Sequence, residues 1–255
     1  MLVIIPPSIT MDMTPVNSEL TTSTPEFKDM AEYLIHIFSD YSIEGLSKLF
    51  GISEELAEKA YNEYREFLVS NNTKAAIFAF TGPLFKTLDP EKFTYNQFYF
   101  AQNHIRILSS IYGILKPLDA IKEYRSTFKI KNDKLPEQNL YDFWKDKITS
   151  SVKKDAEADN KQILFLAFHD LLKAINIDKL GSDMKFAYVT FKENKNGELI
   201  TIRECEKEAI AHMTSWIIKE NILNINDIKH WNMNGYSYSN EMSDDGNLIF
   251  IRNQK

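Results

Sequence analysis

Leu2-Val3-Ile4-Ile5 is an unbroken apolar run stopped by Pro6-Pro7. Such a run predicts a short buried strand, because proline cannot donate to a ladder and restrains the residue before it. After a loop rich in Thr and Ser, Phe27, Met30, Leu34 and Phe38 recur at the spacing of one helical face. Two more helices are predicted over 43–50 and 54–67, separated by Gly51-Ile52-Ser53. Lys74 to Phe80 reads as a central strand closed by Thr81-Gly82-Pro83. Ala101, Ile105, Leu108, Tyr112 and Leu115 keep a helical rhythm, which predicts the longest helix over 95–116, ended by Pro117.

Farther on, 141–152 reads as a helix and 163–168 as a buried strand. The stretches 186–192 and 199–204 flank Asn194-Lys195-Asn196-Gly197, a hairpin signal, since Asn and Gly tolerate positive φ. A helix over 207–220 and a strand over 248–252 complete the pattern. The fold class expected is α/β (mixed α+β). One compact domain would span 1–255, with a mixed central sheet, surrounding helices and a helix-hairpin-helix-like element at about 43–67.

Composition agrees with a globular chain. Of 255 residues, 44% are hydrophobic, with 17 Phe and 12 Tyr to fill a core, and 26% are charged, which argues against disorder. No apolar run reaches bilayer length, and the first residues lack the basic lead of a signal peptide, so a cytoplasmic protein with no membrane partner is expected. The single cysteine, Cys205, allows no intramolecular disulfide and fits a reducing compartment. A net charge of -6 gives no global attraction to nucleic acid, so any such binding must be local.

Two stretches could supply it. Leu46 to Ala57 has the layout of a helix-hairpin-helix, in which backbone amides at the start of the second helix face a phosphate. Gly51 would make the close approach, and Ser53 stands where the motif usually has a second glycine. Glu54, Glu55 and Glu58 place negative charge at the same spot, and on the residues alone an ordinary helical hairpin capped by Ser53 is the commoner reading of the segment. Between Arg106 and Lys134 cations outnumber acids, with Tyr112, Tyr124 and Phe128 interleaved, and Arg125 is suited to bidentate grip of a phosphate or carboxylate. A solvated face is the competing reading.

Other chemistry finds little support. The five histidines show no i, i+4 pair, and His169-Asp170 is notable only for following a buried strand. Cys205 sits among Glu204, Glu206 and Glu208, a setting that disfavours the thiolate. No nucleophile elbow, phosphate-cradling glycine loop or dinucleotide fingerprint is present. Accordingly no metal, cofactor or catalytic residue is predicted.

The segment Leu108-Ser109-Ser110-Ile111-Tyr112-Gly113-Ile114-Leu115-Lys116-Pro117-Leu118-Asp119, followed by Tyr124-Arg125, resembles the signature of the YaaA family of bacterial peroxide-stress proteins. Leu140-Tyr141-Asp142-Phe143-Trp144 and the tail with Gly235-Tyr236 and Leu248-Ile249-Phe250 match it in the same order. Departures cluster at the polar positions of the family's cleft. Pro6-Pro7-Ser8-Ile9 replaces Ser-Pro-Ala-Lys, Pro83-Leu84-Phe85 follows Gly82, Phe168 replaces a polar residue, and Lys207-Glu208-Ala209-Ile210-Ala211 replaces Lys-Lys-Ala-Arg-Gly.

The resemblance implies a role in protection from hydrogen peroxide and in limiting free iron, with DNA held through backbone phosphates. The residues expected to bind nucleic acid are Gly51, Ile52, Ser53, Arg106, Lys116, Arg125 and Lys207. Two alternatives stand beside DNA binding: a catalytically silent relative of a small-molecule or enzymatic cleft protein, and a protein-binding scaffold. On either, the cleft would have exchanged its ionic groups for hydrocarbon.

Overall fold

A computed structural model describes residues 1–16, 19–135 and 137–253. Its first strand, β1 (Leu2–Ile5), is followed by three helices, α1 (Lys28–Ser39), α2 (Ile43–Phe50) and α3 (Glu54–Val69). Then come β2 (Lys74–Ala75), the short helices α4 (Ala76–Ala79) and α5 (Pro83–Leu88), α6 (Tyr95–His104), β3 (Ile105–Ser109), β4 (Gly113–Leu115) and β5 (Ala120–Ile121). The second half holds α7 (Leu140–Glu157), β6 (Gln162–Phe165), β7 (Lys185–Lys195), β8 (Glu198–Ile200), α8 (Arg203–Glu220), β9 (Tyr236–Tyr238) and β10 (Asn247–Asn253).

The main sheet is mixed, in the order β4-β3-β1-β6-β7-β10-β9, with β8 folded back on β7. Strands β3, β1, β6, β7 and β10 are parallel, and β4 and β9 close the two edges antiparallel. Val3 sits in register with Ile105 on one side and Leu164 on the other. Every residue of β1 and β3 is buried, as in a parallel sheet covered on both faces. Helices α5, α6 and α8 pack together, with α6 on β1 and β3, while α7 packs on β1 and β4. One apolar cluster runs from Met1 to Phe250. No helix among the described residues is long and apolar enough to cross a membrane.

Four expectations need correcting. The 95–116 helix stops at His104, and its second half is the hairpin β3–β4. Both strands are wholly buried, so their apolar residues fit a helical period as readily as a strand. Of the predicted 74–80 strand, Lys74 and Ala75 pair antiparallel with β5 outside the main sheet and Phe80 makes an isolated antiparallel bridge to Met11; residues 76–79 form a helical turn. Residues 203–204, predicted as strand, begin α8. In α1 the buried face is Ala31, Leu34, Ile35 and Phe38, which leaves Met30 outside it.

The signature segment is therefore a tight hairpin with a turn behind it. Gly113, at φ +71, lies flat against the indole of Trp144, where a Cβ would come within 2.6 Å of Cε3. The indole N–H donates to the carbonyl of Ser110 at 2.8 Å. Asp119 closes the turn by accepting from the Lys116 amide at 2.8 Å and the Ser23 hydroxyl at 2.7 Å.

Candidate functional site

Strand β1 hands the chain to β3 on one side, whereas β6, its other neighbour, hands it to β7. In an open parallel sheet the connections diverge at such a place and leave a crevice beyond the carboxyl ends of the two strands, where ligands commonly bind. A cavity of about 420 Å³ occupies that position. The residues after β1 (Pro7 to Thr10) and after β6 (Phe168 to Leu171) form two of its walls. The start of α5, the 124–129 strap, Tyr141 on α7 and the first turns of α8 complete it.

Close packing shapes the crevice floor. The Ser8 hydroxyl accepts from the Gly82 amide at 2.9 Å, and a Cβ on Gly82 would stand 2.5 Å from that oxygen. Glycine is thus required for the loop after β1 to meet the start of α5. Tyr124 shares a 2.7 Å hydrogen bond with Ser109, and burial raises its phenol pKa, so it stays protonated. Phe128 stacks on Tyr141 with centroids 5.3 Å apart. Burial, followed by the nearby Asp170, pushes the Tyr141 hydroxyl up to about 12.

Charge gathers along one wall. The Asp170 carboxylate lies 3.3 Å from Lys129 Nζ and 3.7 Å from Arg203 Nη2. Arg203 also spreads over the Phe168 ring at 4.1 Å and reaches Glu206 at 3.1 Å. Burial raises the Glu206 pKa, against the pull of Arg203. Lys207, one turn along α8, has Glu204 at 3.8 Å. Two polar atoms lack a hydrogen bond: the Ser126 hydroxyl, on a residue only 7% exposed, and Asp170 Oδ1, whose contact with Arg203 is the 3.7 Å ion pair alone. Buried polar atoms usually find partners, so unpaired ones facing a cavity mark where a ligand's polar groups would fit.

The expectation of a cleft turned to hydrocarbon is therefore half corrected. Ile9, Pro83 and Phe168 do line it, whereas Ile210 is 1% exposed in the core behind and is absent from the wall. Three cations remain, two of them from positions not assigned to the cleft in sequence. Lys129 comes from the basic run, and Arg203 was placed on a strand that is in fact the start of α8. The residue pattern gave no direct signal for Ser126.

The predicted nucleic-acid residues do not converge. Lys207 alone lies in the crevice. Gly51, with φ +62, and Ser53, which accepts from the Leu56 amide as N-cap of α3, form the α2–α3 turn, and Ile52 packs against the core there. Arg106 is 4% exposed, paired with Asp155 at 2.7 Å and donating to the carbonyls of Gln102 and Ile105, which withdraws it from any external phosphate. Lys116 is exposed in the turn after β4. Arg125 is half-buried; its carbonyl accepts from the Tyr64 hydroxyl, and its charge acts on Glu63. Among the described residues no group of three or more His, Cys, Asp or Glu is placed to hold a metal ion.

Comparison with known proteins agrees with the residue matches. The chain is 36% identical over 236 residues to a UPF0246 protein of Crocosphaera subtropica, covering 89% of this chain and 90% of that one. It is 34% identical to a UPF0246 protein of Francisella tularensis subsp. tularensis, covering 99% and 100%. A UPF0246 protein of Clostridium beijerinckii is 33% identical, covering 99% and 98%. The family model described as peroxide stress protein YaaA matches residues 1–242, and with relatives of this likeness along nearly the whole length the chain belongs to that family.

Proposed function

We propose that this chain serves the peroxide response for which its family is named by binding a small ligand in the switch-point crevice: an anion carrying a planar, largely apolar group. One observation carries the reading. Lys129, Arg203 and Lys207 line the same cavity as aromatic residues and two polar atoms that lack a hydrogen bond, at the place where an open parallel sheet offers a site. The cations would hold the anionic group, and Arg203 suits a phosphate or carboxylate best because of its planar fork. Phe128 and Phe168 would flank the ring, Ser126 and Asp170 would meet its polar edge, and the protonated Tyr141 would donate. These groups bind and orient; the reading assigns no bond-making step.

A thermal-shift panel of nucleoside monophosphates and aromatic carboxylates tests this. At least one member should raise the melting temperature of the native chain, and Arg203→Met with Lys207→Met should abolish the rise. The reading fails if no member stabilises the protein, or if the doubly substituted chain responds equally.

A second reading, duplex DNA held at the α2–α3 turn, is favoured by Gly51, where a Cβ would meet no atom within 4 Å beyond its chain neighbours, which leaves open access to a backbone phosphate. It ranks second because Glu54 and Glu55 occupy the first turn of α3. Affinity for a short duplex should fall steeply as salt rises, and Gly51→Asp should remove it; no binding at low salt would dismiss this reading.

A further inference from the structure

A second cavity, of about 460 Å³, lies between α3 and the segment after β5. Glu55, Glu58, Glu63 and Glu66 share one face of α3 with Lys59 and Asn62, which link them at helical i, i+3 and i, i+4 spacings. Glu123 stands on the opposite wall, and Lys59 and Lys122 supply the cavity's ammonium groups. Lys122 is held at the wall by donating to the Phe67 carbonyl at 2.6 Å. Carboxylates thus outnumber cations in a cleft whose remaining lining includes Met13 and Phe67.

Glu63 turns an acidic face into a built site. Its side chain is 9% exposed, and Oε2 is buried with no hydrogen-bond partner. The other oxygen lies 3.5 Å from Lys59 Nζ, which also stands 3.3 Å from Glu123. The protein's own alkylammonium therefore shows what these carboxylates accept, and one oxygen still lacks a donor. A buried acceptor left unpaired is costly, and an incoming N–H group would relieve that cost.

We propose that this cavity binds a small organic polycation, an alkyl polyamine, with one ammonium donating to Glu63 Oε2 and the others lying along the glutamate face of α3. Methylene stems would lie against Met13 and Phe67. A divalent metal fits less well, because no group of three or more His, Cys, Asp or Glu among the described residues is placed to hold one. The site is separate from the crevice and does not rest on the function proposed for it.

Proton linkage gives the site a signature. Glu63 faces Lys59 and Glu66 on its own helix and Lys122, Glu123 and Arg125 on the segment opposite. Burial, then Glu123, raises its pKa to about 7. A cation binds the ionised form better, so spermidine should bind about tenfold more tightly at pH 8 than at pH 6, following the ionised fraction.

Calorimetric titration of spermidine into the full chain at both pH values provides the test, with Glu63→Gln, Glu123→Gln and Arg203→Met in parallel. Glu63→Gln should weaken binding at least tenfold at pH 8 and abolish the pH dependence, Glu123→Gln should weaken it less, and Arg203→Met in the crevice should leave it unchanged. Failure of spermidine to bind, equal binding by Glu63→Gln, or equal competition by magnesium at the same ionic strength would overturn the proposal. The glutamine variant keeps the shape and removes a buried charge, so loss of binding is not expected to reflect loss of fold.

Discussion

The guanidinium of Arg106 donates to Asp155 and to two backbone carbonyls beneath α6. Removing one partner of a buried pair leaves an uncompensated charge, which typically costs 3–5 kcal/mol, roughly. Asp155 is partly exposed, and the penalty is reduced accordingly. Asp155→Ala should therefore destabilise the chain by about 2–3 kcal/mol in urea unfolding. A loss below about 0.5 kcal/mol would mean that water reaches Arg106 and that it is available at the surface after all. Sequence could not have placed this residue inside, because an arginine beside apolar neighbours reads the same on a solvated face as in a buried pair. Lys207 was legible for the opposite reason: its match lay in a family motif, and the motif happened to face the cavity.

At the scale of elements, local signals were readable wherever chemistry fixes a chain direction. Pro6-Pro7 ends β1, Ser53 caps α3 with its hydroxyl, and Asn196-Gly197 turns β7 back into β8 with both residues at positive φ. The β3–β4 hairpin was not legible, because Ile105 to Leu115 is buried along its whole length and has no polar side to reveal period two. In the structure Thr94 and Gln97 form a capping box at the start of α6, and nothing in the residues marks its end at His104. The misassignment mattered for function. Read as one helix, 95–116 would carry Arg106 and Lys116 on a common rod; as helix and hairpin, it puts one beneath the helix and the other in a surface turn. Likewise, ending the predicted strand at Glu204 hid the first turn of α8, where Arg203 begins the cationic wall of the crevice.

Over the whole molecule, the balance of buried titrating groups sets how stability changes with pH. Folding raises the pKa of Glu63 from 4.5 to about 7, mainly through burial, and raises Asp119 and Glu206 for the same first reason. A carboxyl raised in this way favours the fold while it carries its proton. Its contribution is complete below the unfolded value and is lost as pH climbs through the folded one. His104 acts in the opposite sense: burial and the N-terminal ammonium lower its pKa, so its contribution is present above the ordinary 6.5 and disappears as pH falls through the folded value. The fold should therefore be most stable in mildly acidic solution and weaken between pH 5 and pH 8, with Glu63 accounting for no more than about 3 kcal/mol of the decline. Urea unfolding across that range measures it. Glu63→Gln should match the native chain at pH 5 and exceed it at pH 8. If instead the native profile is flat through pH 7, Glu63 is ionised in the folded chain throughout, and the buried, unpaired oxygen beside α3 is reached by solvent.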